Sequence, residues 1–492
     1  MKAQLDPQLN AAPNDIRDIR HIHIMGICGT GMAAIAGMLK ESGYKVTGSD
    51  QNVYPPMSDF LAQAGIEVMQ GYVPENLDPR PDLVIVGNVI QAVFPEAQRL
   101  AELGIPYLSM PQALGHFFLG GEHPKKPLVV TGTHGKTTTS SLLATALHRA
   151  GCSPGFLIGG IVEAFGRNYR LGEGEYFVVE GDEYDTAFFN KVSKFLHYRP
   201  QYAILTSVEF DHADIFADLE EIKQSFLAFV GLIPENGALV ACTDDPVVAE
   251  IAAQCSGPVI SYGTGKTGKD CQWQLCELAV QGCSTSFTAY KDKVLFGEFT
   301  LPMPGRHNGL NALAVIALMD HLGIAQEAIT KGLASFEGIK RRQQIRGEVN
   351  GITVIDDFAH HPTAVRETVQ ALRLAWPDQR LLIVFEPRTN SSRRAVFQQQ
   401  YEQAFAGADQ VFVREIVPLT NVPAQEQFSS KQLATALNEQ GIPTEYFPDT
   451  AKIIASLVQQ ARTGDVIAIL SNGGFDNIHE RLLGCLHESS GE

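Results

Sequence analysis

The fold is decided by residues 128–151, which read LVVTGTHGKTTTSSLLATALHRAG. An apolar strand runs into a short loop that contains Gly132 and Gly135, and a helix pattern follows at once. Backbone N–H groups of such a loop can wrap phosphates at the start of a helix. Lys136 can bridge terminal phosphate oxygens, and the Thr137 hydroxyl can reach Mg²⁺. The order of strand, loop and helix therefore predicts a nucleotide-triphosphate site.

The loop departs from the strict Walker A pattern, because Val130 stands where that pattern has its first glycine. We interpret 131–140 as a shorter variant of the phosphate loop. The alternative is a loop that carries Gly-Lys-Thr by chance, and the required order of elements argues against it. The residues predicted to contact the nucleotide here are Gly132, Thr133, His134, Gly135, Lys136, Thr137 and Thr138.

Strand and helix patterns alternate on both sides of this loop, as is typical of parallel, doubly wound sheets. A chain of 492 residues is also too long for one hydrophobic core. The stretch at 120–127 is typical of a linker, a new block begins near Gly347, and the composition of 259–304 predicts small β-strands. Residues before the first strand are interpreted as a loose tail. The sequence predicts three α/β domains in series, at 20–125, 126–343 and 344–492.

A second glycine cluster, GICGTG at 26–31, lies between a predicted strand and a predicted helix. Glycines there let the backbone approach a pyrophosphate, and Asp50 follows the next strand, where a dinucleotide enzyme places its ribose ligand. Cys28 stands where the G-x-G-x-x-G pattern has its second glycine. An NAD site, a site for another nucleotide and a structural tight turn therefore all stay open. The residues concerned are Gly26, Cys28, Gly29, Thr30, Gly31 and Asp50.

Polar side chains follow two later strands of the central block. Glu180, in VVEGDEYD at 178–185, is a candidate metal ligand because strand ends in open α/β sheets face the ligand crevice. A solvated acidic turn is the alternative. His212, in SVEFDHADIF at 207–216, can bind a metal or position a phosphate, although Mg²⁺ prefers oxygen ligands. A structural histidine is the alternative there.

Two further motifs carry polar groups. Asn308 and Asn311 lie three residues apart on one face of a predicted helix, where they can hydrogen-bond a purine edge. Helix capping by Asn308 is the alternative. IDDFAHHP at 355–362 places four titratable groups at a strand end, and by itself it fits a zinc site or a nucleotide site.

The composition argues against several functions. A net charge of −17 disfavours a general nucleic-acid binder, because phosphate backbones need clustered lysine and arginine. The apolar runs are strand-sized and fall short of the roughly 20 residues of a membrane span. Eight cysteines are scattered without a CxxC pair, which we interpret as free thiols in a reducing cytoplasm.

Taken together, six motifs resemble those of the Mur ligase family, in this order and across essentially the whole chain: GICGTGM, TGTHGKTTT, EGDEYD, EFDHAD, GRHNGLNALA and DDFAHHPTA. The resemblance implies a Rossmann-like domain for a UDP sugar, a central P-loop ATPase-like domain with small β-strands, and a C-terminal Rossmann-like domain that closes over the site. It implies an ATP-dependent amide-bond ligase that uses Mg²⁺, and it favours UDP over NAD at the first glycine cluster.

The resemblance also implies roles for single residues. Lys136, Glu180 and His212 are the implied catalytic residues, and Thr137 joins the last two at the Mg²⁺ site. Further nucleotide contacts are implied for Asn308, Asn311, Arg342, Asp356 and His360. Several relatives carry a carbamylated lysine after the His212 motif, but this chain aligns Phe226 there, with Lys223 one turn earlier.

Within the family, the chain most resembles the branch that joins UDP-N-acetylmuramate to the recycled tripeptide L-alanyl-γ-D-glutamyl-meso-diaminopimelate. The segments that carry this resemblance are GSDQNVYPPMS at 48–58, EYDTAFFNKVSKFLHY at 183–198, EPRTN at 386–390 and LSNGGF at 470–475. The alternative is the branch that adds free L-alanine. Because the tripeptide brings three carboxylates, we predict that Arg388, with Asn390 beside it, binds the acceptor. A surface salt bridge of Arg388 is the other interpretation.

The implied reaction passes through an acyl phosphate and involves small molecules, with no nucleic acid, membrane or obligate protein partner. An NAD-dependent oxidoreductase would leave TGTHGKTTT and DDFAHHP without a role. A non-catalytic UDP-sugar-binding protein would not explain Lys136, Glu180 and His212 together.

Overall fold

The computed structural model describes residues 18–53, 57–120, 124–213, 215–265, 271–420 and 422–488. Most of the predicted N-terminal tail, residues 54–56 of the GSDQNVYPPMS segment, residues 121–123 of the predicted linker, and Asp214 lie outside these ranges. Among the described residues, no helix combines the length and the apolar character needed to cross a bilayer.

The first sheet has five parallel strands: β1 (His21–Met25), β2 (Lys45–Asp50), β3 (Glu67–Gln70), β4 (Leu83–Val86) and β5 (Tyr107–Ser109). They pair in the order β3-β2-β1-β4-β5. Its helices are α1 (Thr30–Glu41), α2 (Met57–Gln63), α3 (Pro95–Leu103) and α4 (Met110–Leu114). The chain leaves β1 in one direction for β2 and later returns to its other side for β4, so a crevice opens at the carboxyl end of β1. The GICGTG cluster follows β1 at that point.

The central sheet has ten strands: β6 (Lys126–Thr131), β7 (Gly155–Val162), β8 (Arg167–Arg170), β9 (Tyr176–Gly181), β12 (Tyr202–Leu205), β13 (Ala238–Cys242), β14 (Val259–Gly263), β15 (Trp273–Gln281), β16 (Ser284–Lys291) and β17 (Val294–Leu301). A separate hairpin is formed by β10 (Asp185–Ala187) and β11 (Asn190–Ser193). The sheet order is β17-β16-β15-β14-β13-β12-β6-β9-β7-β8. The helices are α5 (Lys136–Arg149), α6 (Leu219–Val230), α7 (Pro246–Ala252), α8 (Arg306–His321) and α9 (Gln326–Ala334).

Strands are present between 259 and 304, as predicted, but they are longer than predicted. β15 has nine residues, and β16 and β17 have eight each. β15 pairs with β14 in parallel and so joins the parallel part of the central sheet. β15, β16 and β17 pair with one another in antiparallel fashion and extend the sheet. The alternating burial of β15 reflects one packed face and one solvated face, which explains its mixed polar and apolar composition.

The third sheet has six strands: β18 (Gln344–Val349), β19 (Ile352–Asp357), β20 (Leu381–Phe385), β21 (Gln410–Arg414), β22 (Thr444–Phe447) and β23 (Val466–Leu470). The order is β18-β19-β23-β20-β21-β22, with only β18 antiparallel to its neighbour. The helices are α10 (Pro362–Ala375), α11 (Gln398–Ala404), α12 (Ser430–Glu439), α13 (Thr450–Gln460) and α14 (Ile478–Glu488). Every residue of β20 and β23 is buried, as expected for parallel strands covered on both faces.

The three sheets pack against one another through side chains. Tyr169 of β8 donates a hydrogen bond to Glu41 of α1 (3.0 Å), and its hydroxyl lies so close to Gly37 that a Cβ there would come within 2.4 Å. The central and third sheets meet where Phe210 stacks on Phe397, with ring centroids 5.9 Å apart. The fold therefore holds the carboxyl ends of the central and third sheets side by side.

Candidate active site

The predicted phosphate loop follows β6, as expected, but its first part is bound to the loop after β12. The N–H of Thr133 donates to the Ser207 carbonyl (2.8 Å), and the N–H of His134 donates to Ser207 Oγ (3.0 Å). These two groups are therefore occupied by protein. The first turn of α5 still presents the N–H groups of residues 136–138, which a helix leaves without intrahelical acceptors. The part of the loop that can bind an anion is thus the helix N-terminus.

Gly135 is the N-cap of α5 and has a φ of 80°, in the left-handed region. A Cβ at this position would come within 2.7 Å of Asn311 Oδ1. The glycine therefore serves both the backbone turn and the close approach of Asn311 from α8. The predicted neighbours Gly135 and Asn311 are brought together by the fold.

Asn308 lies one turn before Asn311 and is almost fully buried. Its amide donates to the Pro304 carbonyl (2.8 Å) and to Gln343 Oε1 (3.1 Å). Since Gly305 is the N-cap of α8 and no side chain caps this helix, the capping interpretation of Asn308 is wrong. Asn308 instead ties α8 to the segment that connects the central and third sheets.

Lys136 lies at the start of α5 and is held by a buried acid that the sequence reasoning did not single out. Its Nζ donates to Glu183 Oε2 (3.0 Å) and to the Gly132 carbonyl (2.7 Å). The other Glu183 oxygen lies 3.1 Å from His212 Nε2. Glu183 is therefore the centre of a buried Lys136–Glu183–His212 chain, which joins two of the three predicted catalytic residues.

The charges of Lys136, Glu183 and His212 stabilise one another. Although burial opposes it, the charge of Lys136 and the hydrogen bond from His212 lower the pKa of Glu183 to about 2. Burial would lower the pKa of Lys136, but the charge of Glu183 and those of neighbouring acids raise it overall. Burial likewise disfavours the charged imidazole, yet the bond to Glu183 and the charge of Asp211 raise the pKa of His212.

His212 also has an unusual backbone. Its φ of 54° is in the left-handed region, which costs a non-glycine residue about 1–2 kcal/mol. The N–H groups of Ile215 and Phe216 donate to its carbonyl, which closes the turn. The turn points the imidazole at Glu183.

Thr137 and Glu180 form a second contact in the site. The Thr137 hydroxyl donates to Glu180 Oε1 (2.9 Å), and the N–H of Gly159 donates to Glu180 Oε2 (2.7 Å). Burial and the charge of Asp182 raise the pKa of Glu180. A hydroxyl and a carboxylate side by side at the end of β9 are oxygen ligands of the kind Mg²⁺ prefers, so these two residues fit that ion. His212 lies at the Glu183 contact, and its role as a metal ligand stays a prediction.

The position aligned with the carbamylated lysine is part of the core. Phe226 is fully buried and packs on Phe195, with ring centroids 5.3 Å apart. Lys223 is paired with Glu220 (3.2 Å) and Glu250 (2.8 Å) on the outside of α6 and α7. Neither residue offers a carbamate at the site.

Arg342 connects the third sheet to the phosphate loop. Its Nη2 donates to Thr137 Oγ1 (3.2 Å), and its guanidinium lies over the Phe358 ring, 4.4 Å from the centroid. Burial lowers the pKa of Arg342. Nearby acids oppose this effect, and among them the charge of Asp357 raises the pKa most and that of Asp356 least. The acid with the stronger influence on Arg342 is therefore Asp357.

The two neighbouring aspartates face different partners. Asp356 lies 3.0 Å from Arg346 Nη1 and 3.3 Å from His479 Nε2. Asp357 accepts from the N–H of Gln343 (2.8 Å) and so fixes the connecting segment. This arrangement makes Asp357 the better candidate for the role predicted for Asp356.

His360 follows β19 and is oriented by its own loop. Its Nδ1 lies 2.9 Å from the Phe358 carbonyl, so Nδ1 carries the proton and Nε2 keeps a lone pair. Burial lowers the pKa of His360. The residue is thus a neutral acceptor between the central and third sheets.

Arg388 follows β20 and is exposed. Within the described residues its guanidinium makes no hydrogen bond and no ion pair within 4 Å. Asp476 is the nearby acid: the hydrogen bond from Thr450 and, to a smaller extent, the charge of Arg388 lower the pKa of Asp476. The neighbouring Asn390 accepts a hydrogen bond from Arg393 (3.1 Å). Ser391 in the same segment accepts from the N–H of Ala213 (3.3 Å), next to His212. The predicted acceptor segment and the His212 loop therefore touch.

A large cavity, of about 1060 Å³, lies at the carboxyl end of β1. Of the residues predicted for the first nucleotide site, Gly26, Cys28, Gly29, Thr30 and Asp50 line it, whereas Gly31 lies in the first turn of α1. Burial and the charge of Asp50 raise the pKa of Cys28 to about 11, so its thiol stays protonated.

Asp50 is held by the glycine cluster. The N–H of Cys28 donates to one carboxylate oxygen and the N–H of Asn52 to the other, both at 2.9 Å. The carboxylate therefore shapes the loop as well as lining the cavity. Opposite it, Tyr72 and Phe94 stack with centroids 5.2 Å apart and rings nearly parallel, which gives the cavity a flat apolar wall.

A buried polar network that the sequence reasoning missed supports this wall. His23 lies 2.8 Å from Glu96, and Ser49 donates to the other Glu96 oxygen (2.8 Å). The side-chain amide of Asn76 donates to the same Glu96 oxygen (3.3 Å) and to the Gly71 carbonyl (2.8 Å). The signal in the sequence was a histidine inside the first strand, where an apolar residue is expected.

Comparisons with known proteins show which family the chain resembles. Three family models match consecutive parts of the chain: the Mur ligase family catalytic domain at 21–120, the Mur ligase middle domain at 130–319, and the Mur ligase glutamate ligase domain at 341–473. The chain is 39% identical over 94% of its length, and 97% of the relative's, to the UDP-N-acetylmuramate–L-alanyl-γ-D-glutamyl-meso-2,6-diaminoheptanedioate ligase of Escherichia coli.

Two further relatives help to place the chain. A UDP-N-acetylmuramate–L-alanine ligase of Geotalea daltonii is 34% identical over 96% of this chain and 99% of its own. A crystal structure of a murein peptide ligase from Psychrobacter arcticus matches with a TM-score of 0.70 and 35% identity, over 95% of this chain and 99% of that one. The matched models and the full-length similarity show that this chain belongs to the Mur ligase family.

Proposed function

We propose that the chain is an ATP-dependent ligase that joins the lactyl carboxylate of UDP-N-acetylmuramate to the amine of L-alanyl-γ-D-glutamyl-meso-diaminopimelate in peptidoglycan recycling. The Escherichia coli relative carries the name of this activity. The observation that carries the proposal is the contact between Ser391 and Ala213, which puts the exposed Arg388 segment beside the His212 loop. A cation suited to carboxylates thus belongs to a segment that touches the His212 loop.

The first turn of α5 would hold the ATP phosphates, with Lys136 turning from Glu183 to the transferred phosphoryl group. Thr137 and Glu180 would hold Mg²⁺, with His212 nearby. When bound, Mg²⁺ would neutralise phosphate charge. Asn311, Arg342, Asp357 and His360 surround this position from three elements and are the proposed further nucleotide contacts.

The proposed chemistry has two steps. A lactyl carboxylate oxygen attacks the γ-phosphorus, the bond to the bridging oxygen breaks, and ADP leaves. The acceptor amine then attacks the acyl carbon, the bond to the phosphate oxygen breaks, and phosphate leaves as the amine loses its proton. Lys136 and the α5 N–H groups stabilise the charge on the transferred group, and closure of the third domain excludes water that would hydrolyse the acyl phosphate.

The cavity at β1 would hold the UDP part of the donor, with its flat Tyr72–Phe94 wall available to a base. Its volume of about 1060 Å³ lies just above the usual range of ligand sites, about 300–1,000 Å³, and so suits a large ligand such as a nucleotide sugar. We place the domain boundaries at 125/126 and 343/344, just before β6 and β18. Because ATP and nucleotide sugars are cytoplasmic compounds, we propose the cytoplasm as the location.

The second candidate function is ligation of free L-alanine, which the Geotalea daltonii relative's name describes. The exposed guanidinium of Arg388 favours the tripeptide, since L-alanine has one carboxylate and the tripeptide has three.

An acceptor competition tests the proposal. The purified chain is supplied with ATP, Mg²⁺, UDP-N-acetylmuramate, L-alanine and the tripeptide, and products are identified by mass. We expect the tripeptide to be ligated about a hundredfold or more efficiently than L-alanine, because polar groups built for a missing partner stay unpaired. ADP release without the donor is the control. Preferential ligation of L-alanine would assign the chain to the second function.

Domain closure gives a further prediction. Arg341 and Gln343 have φ values of 63° and 49° in the segment that connects the central and third sheets, so this segment stores backbone strain. We expect it to act as a hinge. Small-angle scattering should show a smaller radius of gyration when a non-hydrolysable ATP analogue and UDP-N-acetylmuramate are both present. ADP or the UDP sugar alone serves as the control, and an unchanged profile at saturation of both would contradict closure.

A further inference from the structure

Three side chains converge at the contact between the central and third sheets. The proposed reaction gives none of them a role. They are His134 before α5, Glu209 after β12, and His361 before α10. One ligand atom of each lies within 4.8 Å of the other two. His134 Nε2 is 3.1 Å from Glu209 Oε2, and that oxygen is 3.8 Å from His361 Nδ1. We name these residues the His–Glu–His cluster.

The cluster is oriented by its surroundings. His361 Nε2 lies 3.2 Å from the Phe210 carbonyl, so that nitrogen carries the proton and Nδ1 keeps its lone pair. Nδ1 is the atom that faces Glu209. As the N-cap of α10 it also accepts a hydrogen bond from the Thr363 N–H (3.3 Å), which a metal ion would replace. The Thr363 hydroxyl donates to Glu209 Oε2 (2.7 Å) and fixes the carboxylate. A second group that orients a ligand in this way is typical of metal sites in proteins.

Glu209 and His361 have the protonation states that metal ligands need, and His134 becomes a ligand when a metal ion displaces the Nε2 proton that it donates to Glu209. Burial lowers the pKa of His361 to about 3, which leaves a neutral imidazole. Although burial opposes it, the hydrogen bond from His134 lowers the pKa of Glu209 to about 2, which leaves a carboxylate. Asp211 lies close enough to influence His361, so the local charge favours a cation.

The donor set and the spacing select the kind of ion. Two imidazoles and one carboxylate suit Zn²⁺ and similar first-row ions, whereas Mg²⁺ prefers oxygen alone. Zinc bonds of about 2.0–2.1 Å put tetrahedral ligands roughly 3.3 Å apart. The separations from Glu209, 3.1 and 3.8 Å, are close to this value, and the two imidazole nitrogens, which lie within 4.8 Å of each other, would move together on binding.

We propose that the His–Glu–His cluster binds a divalent transition ion of the Zn²⁺ class and that the ion locks the third domain against the central domain. Two ligands come from the central sheet's loops and the third from the start of α10. The site is therefore complete only while the domains touch. Binding of the ion and domain contact are thermodynamically linked, so each stabilises the other. Turnover, which needs the domains to separate, is slowed.

Titration calorimetry of the full chain with Zn²⁺ tests the site. Saturating Mg²⁺ and a non-hydrolysable ATP analogue are present, so that the proposed Mg²⁺ site is filled. His361→Asn removes the imidazole but keeps a good helix N-cap. Glu209→Gln keeps an acceptor for Thr363 and removes the charge. The matched control is His321→Asn, at the exposed end of α8.

We expect wild type and His321→Asn to bind one more equivalent of Zn²⁺ than His361→Asn and Glu209→Gln. Co²⁺ in that site should give visible ligand-field absorption without the near-ultraviolet band of thiolate ligands, which separates it from binding by the free cysteines. Zn²⁺ should reduce the radius of gyration of wild type but not of His361→Asn. Equal stoichiometry in wild type and both cluster variants would overturn the proposal, and since no acceptor is present, the result is independent of the ligation assay.

Discussion

Lys136→Met is expected to lower turnover about a hundredfold or more, because loss of one preorganised electrostatic contact in a phosphoryl-transfer site costs about 3 kcal/mol. Methionine keeps most of the apolar stem of lysine and removes only the charge. The measurement is the rate of ADP release at saturating ATP, UDP-N-acetylmuramate and tripeptide. A folded variant with near-normal ADP release would remove the α5 loop from the mechanism.

The contact with Glu183 supplies a control for this experiment. Lys136 and Glu183 side chains are only 11% and 2% exposed, so Lys136→Met leaves a buried carboxylate without its cation. Breaking such a pair costs about 3–5 kcal/mol of stability. Adding Glu183→Gln removes that charge. The double variant should regain much of the lost thermal stability while its ADP release stays low. If thermal stability and the rate of ADP release both recovered, the effect of Lys136→Met on turnover would come from lost folding.

Much of this site was predictable because its signals are local. The patterns at 128–151 predicted the strand β6, the loop and the helix α5 that the structure has, and the polar groups predicted after β9 and β12 do meet this loop. Each of these inferences depends only on the order of elements and on the rule that parallel strands present their carboxyl ends together. The same rule placed Arg388 after β20.

The missed residues depend on geometry that sequence spacing does not encode. Glu180 is inside β9, where the alternation of side chains can be extrapolated, but Glu183 lies beyond the strand end at Gly181. There the backbone direction is set by tertiary contacts, so the sequence could not show which of the clustered acids meets Lys136. A different limit applies to Asp356 and Asp357, which both lie inside β19 and face opposite sides of the sheet: the sequence does not show which side meets the central domain.

The N–H groups of Thr133 and His134 show another limit. A glycine-containing loop predicts free donors, but their use depends on the loop after β12, which lies about seventy residues later in the chain. Ser207 accepts from both. Long-range pairing of this kind is visible only in the folded chain.

Arg388→Ala is expected to lower kcat/KM for the tripeptide by about ten- to a hundredfold, the range for loss of a charge-assisted hydrogen-bonded pair. The KM for UDP-N-acetylmuramate should change little, because the cavity at β1 belongs to the first sheet. The matched control is Arg462→Ala, another exposed arginine of the third domain, which precedes β23 at the opposite end of the strands. An equal effect of both variants would show that Arg388 has no specific contact with the acceptor.

Gly473→Ala tests the same contact while keeping the arginine. A Cβ at Gly473 would come within 2.0 Å of Arg388 Nη1 and 2.3 Å of its Cδ, so the guanidinium must move from its place. We expect this variant to raise the KM for the tripeptide in the same direction as Arg388→Ala, with the rate of phosphoryl transfer from ATP little changed. Combining the two substitutions should add almost nothing, since coupled residues are not additive. If the losses of the two single variants added fully in the double variant, Gly473 would act on another part of the site. Packing on Gly473 would then not be what orients Arg388 toward a carboxylate.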